Sequence, residues 1–189
     1  MALNVLLLGP QGAGKGTQAK RISAEYGIPH IASGEILRAE MDAGTELGKR
    51  VKETIERGDL VSDDLMIELI RNRLEQPDTE SGFVLDGFPR TTVQAEALDS
   101  MFGDIGRNFS VAFSLQIPDE VAFDRLRRRA RADDTDEAIQ RRLDNYHRET
   151  EPLIEYYRTR GNVVPIHANR SENEVFAEIQ RALEQVPAV

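Results

Sequence analysis

The chain has 189 residues, 40% of them hydrophobic and 30% charged, which suits one globular domain without a membrane-spanning segment. It contains no cysteine, which excludes disulfides and thiolate metal sites and is typical of a cytoplasmic protein. The formal net charge of −9 argues against general nucleic-acid binding, so an anionic ligand would need a local basic patch.

The first predicted elements are a buried strand, a glycine-rich loop and a helix. Leu3–Leu8 is an apolar run bounded by glycine, and Thr17–Tyr26 has apolar residues at helical spacing. The loop GPQGAGKGTQ between them would point N–H groups into one concavity, a phosphate cradle with Lys15 as its mobile charge. The spacing fits the P-loop pattern GxxxxGK, although Gly16 stands where a magnesium-ligating Ser or Thr is usual. The alternative is a strand–helix turn that binds nothing.

A short strand is predicted at Pro29–Ala32, and the segment after it carries little information by itself. Ser33 could have a purely structural role as the N-cap of a helix. Arg38 could pair with Glu35 or Asp42 along that helix.

The next helix, Asp63–Leu74, precedes an apolar strand at Phe83–Asp86. An aspartate that ends such a strand can hold magnesium through water, and Arg90 is a planar, permanently charged fork suited to phosphate. The alternative is a tight turn in which Asp86 pairs with Arg90 and nothing else.

A helix at Thr92–Met101 and a strand at Phe109–Ile117 follow. Thr91-x-x-Gln94 is compatible with a capping box at the start of that helix, which would give Gln94 a structural role.

Dense positive charge appears in RLRRRARADD, which begins inside the predicted helix Asp119–Arg129. Arginines concentrate where a phosphoryl group is transferred, because the transition-state charge spreads over several oxygens. The alternative is a solvated helix face. Arg125 and Arg129 share one face of the helix, whereas Arg127 and Arg128 are the first candidates for solvent-exposed positions.

The last elements are a helical pattern over residues 135–160, which Pro152 should bend or break, a strand at Val163–Ile166 and a helix at Ser171–Val186. A Ser-x-x-Glu capping box opens the final helix. Strands that alternate with helices predict an α/β fold with a parallel sheet covered on both faces, where ligands bind at the carboxyl ends of the strands.

Together these motifs resemble the adenylate kinase family over essentially the whole chain, in order and spacing. The matching segments are GPQGAGKGTQ, ASGEILR, GDLVSDDL, LDGFPRT with Gln94, RADDTDEAIQRRL and HRETEPLIEYY. The family's own phosphate loop carries Gly-Thr after the lysine, so Gly16 agrees with the family pattern. The resemblance implies magnesium-dependent, reversible transfer of the γ-phosphoryl group of ATP to AMP, giving two ADP.

The resemblance implies a doubly wound parallel sheet of the P-loop nucleoside monophosphate kinase type in one domain, 1–189. Two mobile inserts are expected, one at 32–61 that holds AMP and a lid at 128–137 that covers ATP. The groups around the transferred phosphoryl would be Lys15, Arg90, Arg129, Arg131 and Arg142, with Asp133 and Asp134 positioning the lid arginines. Residues expected to bind ATP are Gly12, Ala13, Gly14, Lys15, Gly16, Thr17, Arg125, Arg129 and Arg170. Residues expected to bind AMP are Ser33, Arg38, Asp59, Leu60, Val61, Gly87, Phe88, Pro89, Arg90, Gln94, Arg131 and Arg142.

Magnesium is the expected metal, held through water by Asp86, with ATP as co-substrate and without zinc. Only Ala130 separates Arg129 from Arg131, so the lid is short and lacks the four cysteines that hold zinc in many bacterial members. Ser33 stands where threonine is commoner, and its hydroxyl is expected to serve equally. The expected partners are ATP, AMP and ADP, with no nucleic acid and no membrane, and the expected state is a cytoplasmic monomer.

Two other functions compete with this hypothesis. A uridylate/cytidylate kinase could use the same scaffold, but the amide of Gln94 can offer a donor and an acceptor to adenine. A non-catalytic nucleotide sensor would not need the full set of cationic residues around the phosphoryl group.

Overall fold

The architecture was obtained from a computed structural model, and the described residues are 2–161 and 163–186. Residues 1, 162 and 187–189 of the predicted domain lie outside them. At the centre is a parallel sheet of five strands in the order β2-β3-β1-β4-β5, which confirms the predicted α/β class. The strands are β1 Leu3–Leu8, β2 His30–Ala32, β3 Gly82–Asp86, β4 Val111–Gln116 and β5 Val163–His167. The helices are α1 Lys15–Tyr26, α2 Ser33–Asp42, α3 Glu46–Arg57, α4 Asp63–Leu74, α5 Thr92–Asp104, α6 Asp119–Arg129, α7 Asp136–Asn145, α8 Pro152–Arg158 and α9 Glu172–Leu183.

β1 is buried because helices cover both faces of the sheet. Leu6 and Leu8 pack into the core that α4, α5 and α8 complete, whereas Val5 and Leu7 pack on the opposite side against α1 and α9. Successive side chains of a strand point to opposite faces, so a strand covered on both sides needs an unbroken apolar run. Burial of each leucine contributes roughly 1.5–3 kcal/mol.

The register of the sheet brings the chemically suggestive segments to one edge. β1 lies between β3 and β4, with Leu7 opposite Asp86 and Leu8 opposite Ser114. All the strands run in the same direction, so the loops after β1, β2 and β3 leave the sheet together. This edge is where the sequence predicts the ligand site.

Helices α2 and α3 lie in contact inside the predicted 32–61 insert, and α3 was not predicted from the sequence. Thr45 caps α3 by accepting a hydrogen bond from Gly48 N at 3.0 Å. A Cβ on Gly48 would lie 2.1 Å from the carbonyl oxygen of Glu40, so glycine is what allows the two helices to approach. The insert also contacts α7, because Asn145 Nδ2 donates to Gly58 O at 3.2 Å.

The helical pattern over residues 135–160 is divided, as Pro152 led us to expect. α7 ends at Asn145, and a π-helical turn over Tyr146–Thr150 connects it to α8. Pro152 lies in the first turn of α8, where its missing N–H needs no partner. The wider turn, with Glu151 N donating to Tyr146 O at 2.8 Å, joins the two helices.

Smaller differences between prediction and structure lie at the ends of elements. α1 begins at Lys15, two residues before the predicted start, because Gly14 adopts a left-handed conformation just before it. The predicted capping box before α9 is confirmed: Ser171 N donates to Glu174 Oε2 at 3.0 Å and Glu174 N to Ser171 Oγ at 3.4 Å. Among the helices of the described residues, none combines the length and apolar character required to cross a bilayer.

His147 links two helical segments on the surface. Its Nε2 lies 2.9 Å from Asp119 Oδ2 at the start of α6, and its Nδ1 lies 2.8 Å from Glu151 Oε2. The hydrogen bond to Glu151, with that to Asp119, raises the pKa of His147 above its ordinary value despite partial burial. Both ring nitrogens face carboxylates, so only the protonated ring can donate to both.

Stability should therefore depend on the protonation of His147. A raised pKa means that the contribution is fully present below the ordinary value of ~6.5 and is lost as the pH rises through the raised value. The side chain is 44% exposed, so solvent screens the pairs. We expect His147→Gln to cost about 0.5 kcal/mol at about pH 5.5 and much less at about pH 9, as measured by urea unfolding in low salt. An equal cost at both pH values would contradict the protonation dependence.

Candidate functional site

The loop after β1 forms a backbone cradle at the N-terminus of α1. Gly12 and Gly14 have φ angles of 87° and 90°, in the left-handed region that favours glycine. A Cβ on Gly12 would lie 2.7 Å from Ala122 O, whereas at Gly14 it would meet no atom within 4 Å. No side chain caps α1, so its first N–H groups remain available to an anion.

Lys15 lies across this loop. Its Nζ donates to Gly9 O at 2.8 Å and to Pro10 O at 2.9 Å. Burial lowers the pKa of Lys15 to about 8; Asp86 opposes the shift and the charge of Arg90 adds to it. An anionic partner stabilises the charged form of a lysine that is desolvated in this way.

Asp86 ends β3 beside the loop. Its Oδ2 would lie 3.5 Å from a Cβ on Gly16, and it is 3.6 Å from His30 Nε2. Burial opposes ionisation, yet the nearby His30 ring and the charge of Lys15 hold the pKa of Asp86 below its ordinary value. Within the described residues Asp86 and Arg90 form no ion pair, so the tight-turn alternative is wrong; Arg90 Nε instead donates to Gly87 O at 2.8 Å.

A cavity of about 720 Å³, called here the main cavity, opens above the loop and the N-terminus of α1. It brings together residues from β3, α1, α2, α6 and the segment after β5. The predicted site residues that line it are Gly12, Ala13, Gly14, Lys15, Gly16, Thr17, Arg38, Asp86, Gly87, Arg90, Arg125, Arg129, Arg131 and Arg170.

Positive charge is crowded in the main cavity. Burial lowers the pKa of Arg38, and the charges of Arg131 and Arg129 add to that shift. Burial also lowers the pKa of Arg90, with Arg38 contributing. Neither Glu35 nor Asp42 forms an ion pair with Arg38 within the described residues, since Glu35 pairs with Lys20 at 3.3 Å. The cavity is therefore preorganised for a polyanion, since the protein itself does not neutralise it fully.

Arg125 and Arg170 border the main cavity at the end away from β3. Arg125 donates from Nη1 to Gly12 O at 3.3 Å and from Nη2 to Ala168 O at 3.1 Å. Arg170 donates from Nε to His167 O at 3.0 Å and also pairs with Glu178. Arg125 therefore ties the phosphate loop to the segment that follows β5.

Asp134 organises the predicted lid. Its side chain is fully buried, and it accepts from Arg129 Nε at 2.9 Å and from Arg142 Nη1 at 2.7 Å. The backbone N of Arg131 also donates to it, at 3.1 Å. Asp133 accepts from Arg142 as well. Asp133 and Asp134 therefore bind arginine side chains, and their role in positioning the lid arginines for catalysis stays a prediction. Arg127 and Arg128 are exposed, as expected.

A second cavity of about 60 Å³, called here the side cavity, lies between the 32–61 insert and the loop that follows β3. Arg38, Arg90 and Gly87 line both cavities, so the two adjoin. The predicted site residues that line the side cavity are Ser33, Arg38, Asp59, Leu60, Val61, Gly87, Arg90, Gln94, Asp133 and Arg142. Pro89 lines an adjacent recess, and Phe88 is buried in the apolar core and borders none of these spaces.

Ser33 and Gln94 do not have the helix-capping roles that the local sequence suggested. Ser33 is not an N-cap: it is the first residue of α2, and its Oγ donates to Gly87 O at 2.8 Å. The capping box at Thr91 is half correct, because Thr91 Oγ1 accepts from Gln94 N at 3.2 Å. The side chain of Gln94 does not return the bond to Thr91 but accepts from Arg90 N at 2.8 Å.

Among the residues that sequence reasoning did not single out, three have contacts that bear on the site. Gln11 lines both cavities, His30 contacts Asp86, and Asp63 accepts a hydrogen bond from Gln94 Nε2 at 2.9 Å. The position of Gln11 in the glycine-rich loop was a usable signal. The contacts of His30 and Asp63 depend on how separate segments meet, which has no local pattern.

Comparisons with known proteins agree on one family. A sequence profile of adenylate kinase matches residues 7–162. An adenylate kinase of Methanosarcina barkeri is 40% identical over 213 residues, covering 97% of this chain and 99% of the relative. One of Archaeoglobus fulgidus is 38% identical over 215 residues, with 97% and 99% coverage. One of Phocaeicola vulgatus is 42% identical over 188 residues, with 97% and 100% coverage. The first two alignments exceed the 189 residues of this chain, so those relatives contain stretches that it lacks.

Arg131 offers a test of the cavity that is independent of stability. Within the described residues its guanidinium forms no hydrogen bond or ion pair, although it lines the main cavity. We expect Arg131→Ala to leave the unfolding of the free protein unchanged. It should reduce the stabilisation given by a dinucleotide polyphosphate by about 2 kcal/mol, because a charge-assisted contact is lost.

The matched control for this test is Arg128→Ala, which removes an exposed arginine three residues away. Thermal unfolding of both variants, with and without the dinucleotide, makes the comparison. Equal destabilisation of the free and bound protein by Arg131→Ala would mean that Arg131 has a structural role.

Proposed function

Because this chain belongs to the adenylate kinase family, which transfers the γ-phosphoryl group of ATP to AMP, we propose that the main cavity receives ATP and the side cavity AMP. The phosphate loop, with Lys15 and the open N-terminus of α1, would bind the ATP phosphates. Arg125 and Arg170, at the other end, would lie near the adenine of ATP.

The observation that carries this proposal is the convergence of cationic side chains where the two cavities adjoin. Arg38 and Arg90 line both cavities. The main cavity is also lined by Lys15, Arg129 and Arg131. Arg142 lines the side cavity. The phosphates of two nucleotides would meet there. Such a group stabilises the charge that spreads over the oxygens of a phosphoryl group in transfer.

The chemistry requires no general base. A phosphate oxygen of AMP is already a competent nucleophile, so in-line attack on the γ-phosphorus needs position and charge neutralisation. Lys15 would exchange the carbonyls of Gly9 and Pro10 for phosphate oxygens when ATP binds. The repulsion among the cavity cations in the free protein would be relieved at the same time.

Asp86 fits a magnesium ion that is bound mainly by nucleotide and water. Its carboxylate is held ionised beside the phosphate loop. Among the described residues no group of three or more His, Cys, Asp or Glu side chains is placed to bind a metal. Magnesium commonly takes one or two carboxylates and completes its shell with phosphate oxygens and water. Bound there, the ion would neutralise charge on the ATP phosphates.

We propose that the segments 32–61 and 128–137 close over the nucleotides. Asp134 already orients Arg129 and Arg142, so closure would need to recruit Arg131, which has no such partner in the described structure. Closure would exclude water, which would otherwise hydrolyse ATP.

Selection of adenine is assigned to Gln94, which is buried at the side cavity. A site built around hydrogen bonds to one base leaves polar groups unpaired when another base enters. This favours AMP over the pyrimidine nucleotides of the competing uridylate/cytidylate kinase hypothesis. The cytoplasmic location and the monomeric state remain proposals from the sequence.

Lys15 and Arg90 are proposed to stabilise charge at the transferred phosphoryl group. Lys15→Met and Arg90→Ala should each lower turnover by about a hundredfold or more, because each removes a preorganised charge-stabilising group. Formation of ADP from ATP and AMP measures the effect. Lys52→Met is the matched control, since Lys52 is exposed on α3 and lines neither cavity. A variant with near-normal turnover would remove that residue from the site.

Gln94 is proposed to select the nucleoside monophosphate that accepts the phosphoryl group. AMP should be strongly preferred over UMP, CMP and GMP, and Gln94→Ala should weaken the preference, because the base then loses its polar partner. The preference is measured as kcat/KM for the four acceptors at saturating ATP, in the parent chain and in Gln94→Ala. If Gln94→Ala changes the unfolding free energy and leaves the preference intact, the side chain of Gln94 has only a structural role, through its bonds to Arg90 N and Asp63.

A further inference from the structure

Asp63, a carboxylate outside both cavities, holds the side chain assigned above to base recognition. Gln94 is 2% exposed, and its Nε2 donates to Asp63 Oδ1 at 2.9 Å. Asp63 is the first residue of α4, and its Oδ1 also accepts from Thr91 Oγ1 at 2.8 Å. It is not among the described residues that line either cavity. Of the two side chains that bind Asp63 among the described residues, Gln94 lines the side cavity and Thr91 does not, so Asp63 would act on a bound nucleotide through Gln94.

The partners of Gln94 permit one orientation of its amide. Oε1 accepts from the backbone N of Arg90 at 2.8 Å, and a backbone N–H can only donate. The carboxylate of Asp63 can only accept when ionised. A flipped amide would set its NH2 group against the N–H of Arg90 and its oxygen against the carboxylate. Both bonds would be lost, and buried polar atoms would be left unpaired.

The fixed amide keeps one donor and one acceptor for a ligand. A glutamine amide has two N–H hydrogens and two oxygen lone pairs, and Asp63 and Arg90 each use one. Adenine offers a 6-amino donor next to the acceptor N1, which complements the remaining pair. Guanine and hypoxanthine offer the reverse, a 6-oxo acceptor next to an N1–H donor. They would match only the flipped amide.

We propose that Asp63 is a positioning residue that sets the preference for a 6-amino purine by locking the amide of Gln94. The proposal rests on the assignment of the side cavity to AMP. Asp63 touches no substrate and takes no part in phosphoryl transfer. Its removal should therefore act on the choice and the KM of the acceptor and not on kcat.

Asp63→Asn tests this fixing of the Gln94 amide, because an asparagine amide can donate as well as accept. The substitution removes one of the two partners that oppose a flipped amide, and the N–H of Arg90 remains as the other. AMP and IMP are the acceptors, since IMP reverses the two edge positions without adding the 2-amino group of guanine. We expect Asp63→Asn to lower the AMP:IMP ratio of kcat/KM by about tenfold, through the KM for AMP, with kcat for AMP nearly unchanged.

Asp64→Asn is the matched control. Asp64 is the next residue, exposed in the same first turn of α4, so its removal costs the same charge at the helix N-terminus. This variant should keep the ratio of the parent chain. An equal fall in both variants would assign the effect to helix charge and overturn the lock.

Gln94→Ala separates the two levels of the proposal. If Gln94→Ala leaves the AMP:IMP ratio unchanged, the assignment of the base site itself is wrong. If Gln94→Ala abolishes the preference while Asp63→Asn keeps it, the base site stands and the role of Asp63 is overturned. Should Asp63→Asn fail to fold, Asp63→Ala carries the same expectation. In either variant, side-chain amide NMR signals of Gln94 identical to those of the parent chain would also overturn the lock.

Discussion

The electrostatic cost of gathering cations in one cavity is the constraint on which the rest of the site depends. Burial lowers the pKa values of Lys15, Arg38 and Arg90, and the charges of neighbouring arginines add to each shift. Only a rigid framework holds such groups together without a ligand. The parallel register that sets Leu7 of β1 opposite Asp86 of β3 supplies it. Bound phosphates would offset the repulsion among these cations.

Carboxylates placed behind the cavity walls fix the side chains that face inward. The side chain of Asp134 is fully buried and binds Arg129 and Arg142, and Asp63 binds Gln94. An ionised carboxylate only accepts hydrogen bonds, so it dictates which atoms of its partner turn toward it and which stay free. The same physical device thus orients both the phosphate-binding and the base-binding groups.

α7 connects the two segments expected to move. Arg142 on this helix binds Asp133 and Asp134 of the lid and donates from Nη2 to Ile55 O of the insert at 3.2 Å. Asn145, one turn later, binds Gly58 O. The π-helical turn that follows separates α7 from α8, which belongs to the core. A displacement of α7 would therefore be felt by the lid and the insert together.

The sequence by itself determined the five strands, the phosphate loop and many element boundaries, because these depend on residues close together in the chain, whereas the strand order came from the tertiary structure. The apolar run Leu3–Leu8 and the helix Asp63–Leu74 were predicted at their observed limits. Only the tertiary structure decided that Phe88 belongs to the core, that Ser33 binds Gly87 O, and that Asp63 holds Gln94. The last two contacts join residues 54 and 31 positions apart. The partner of a polar side chain at such separations is set by how strands and helices cross, which no local periodicity encodes.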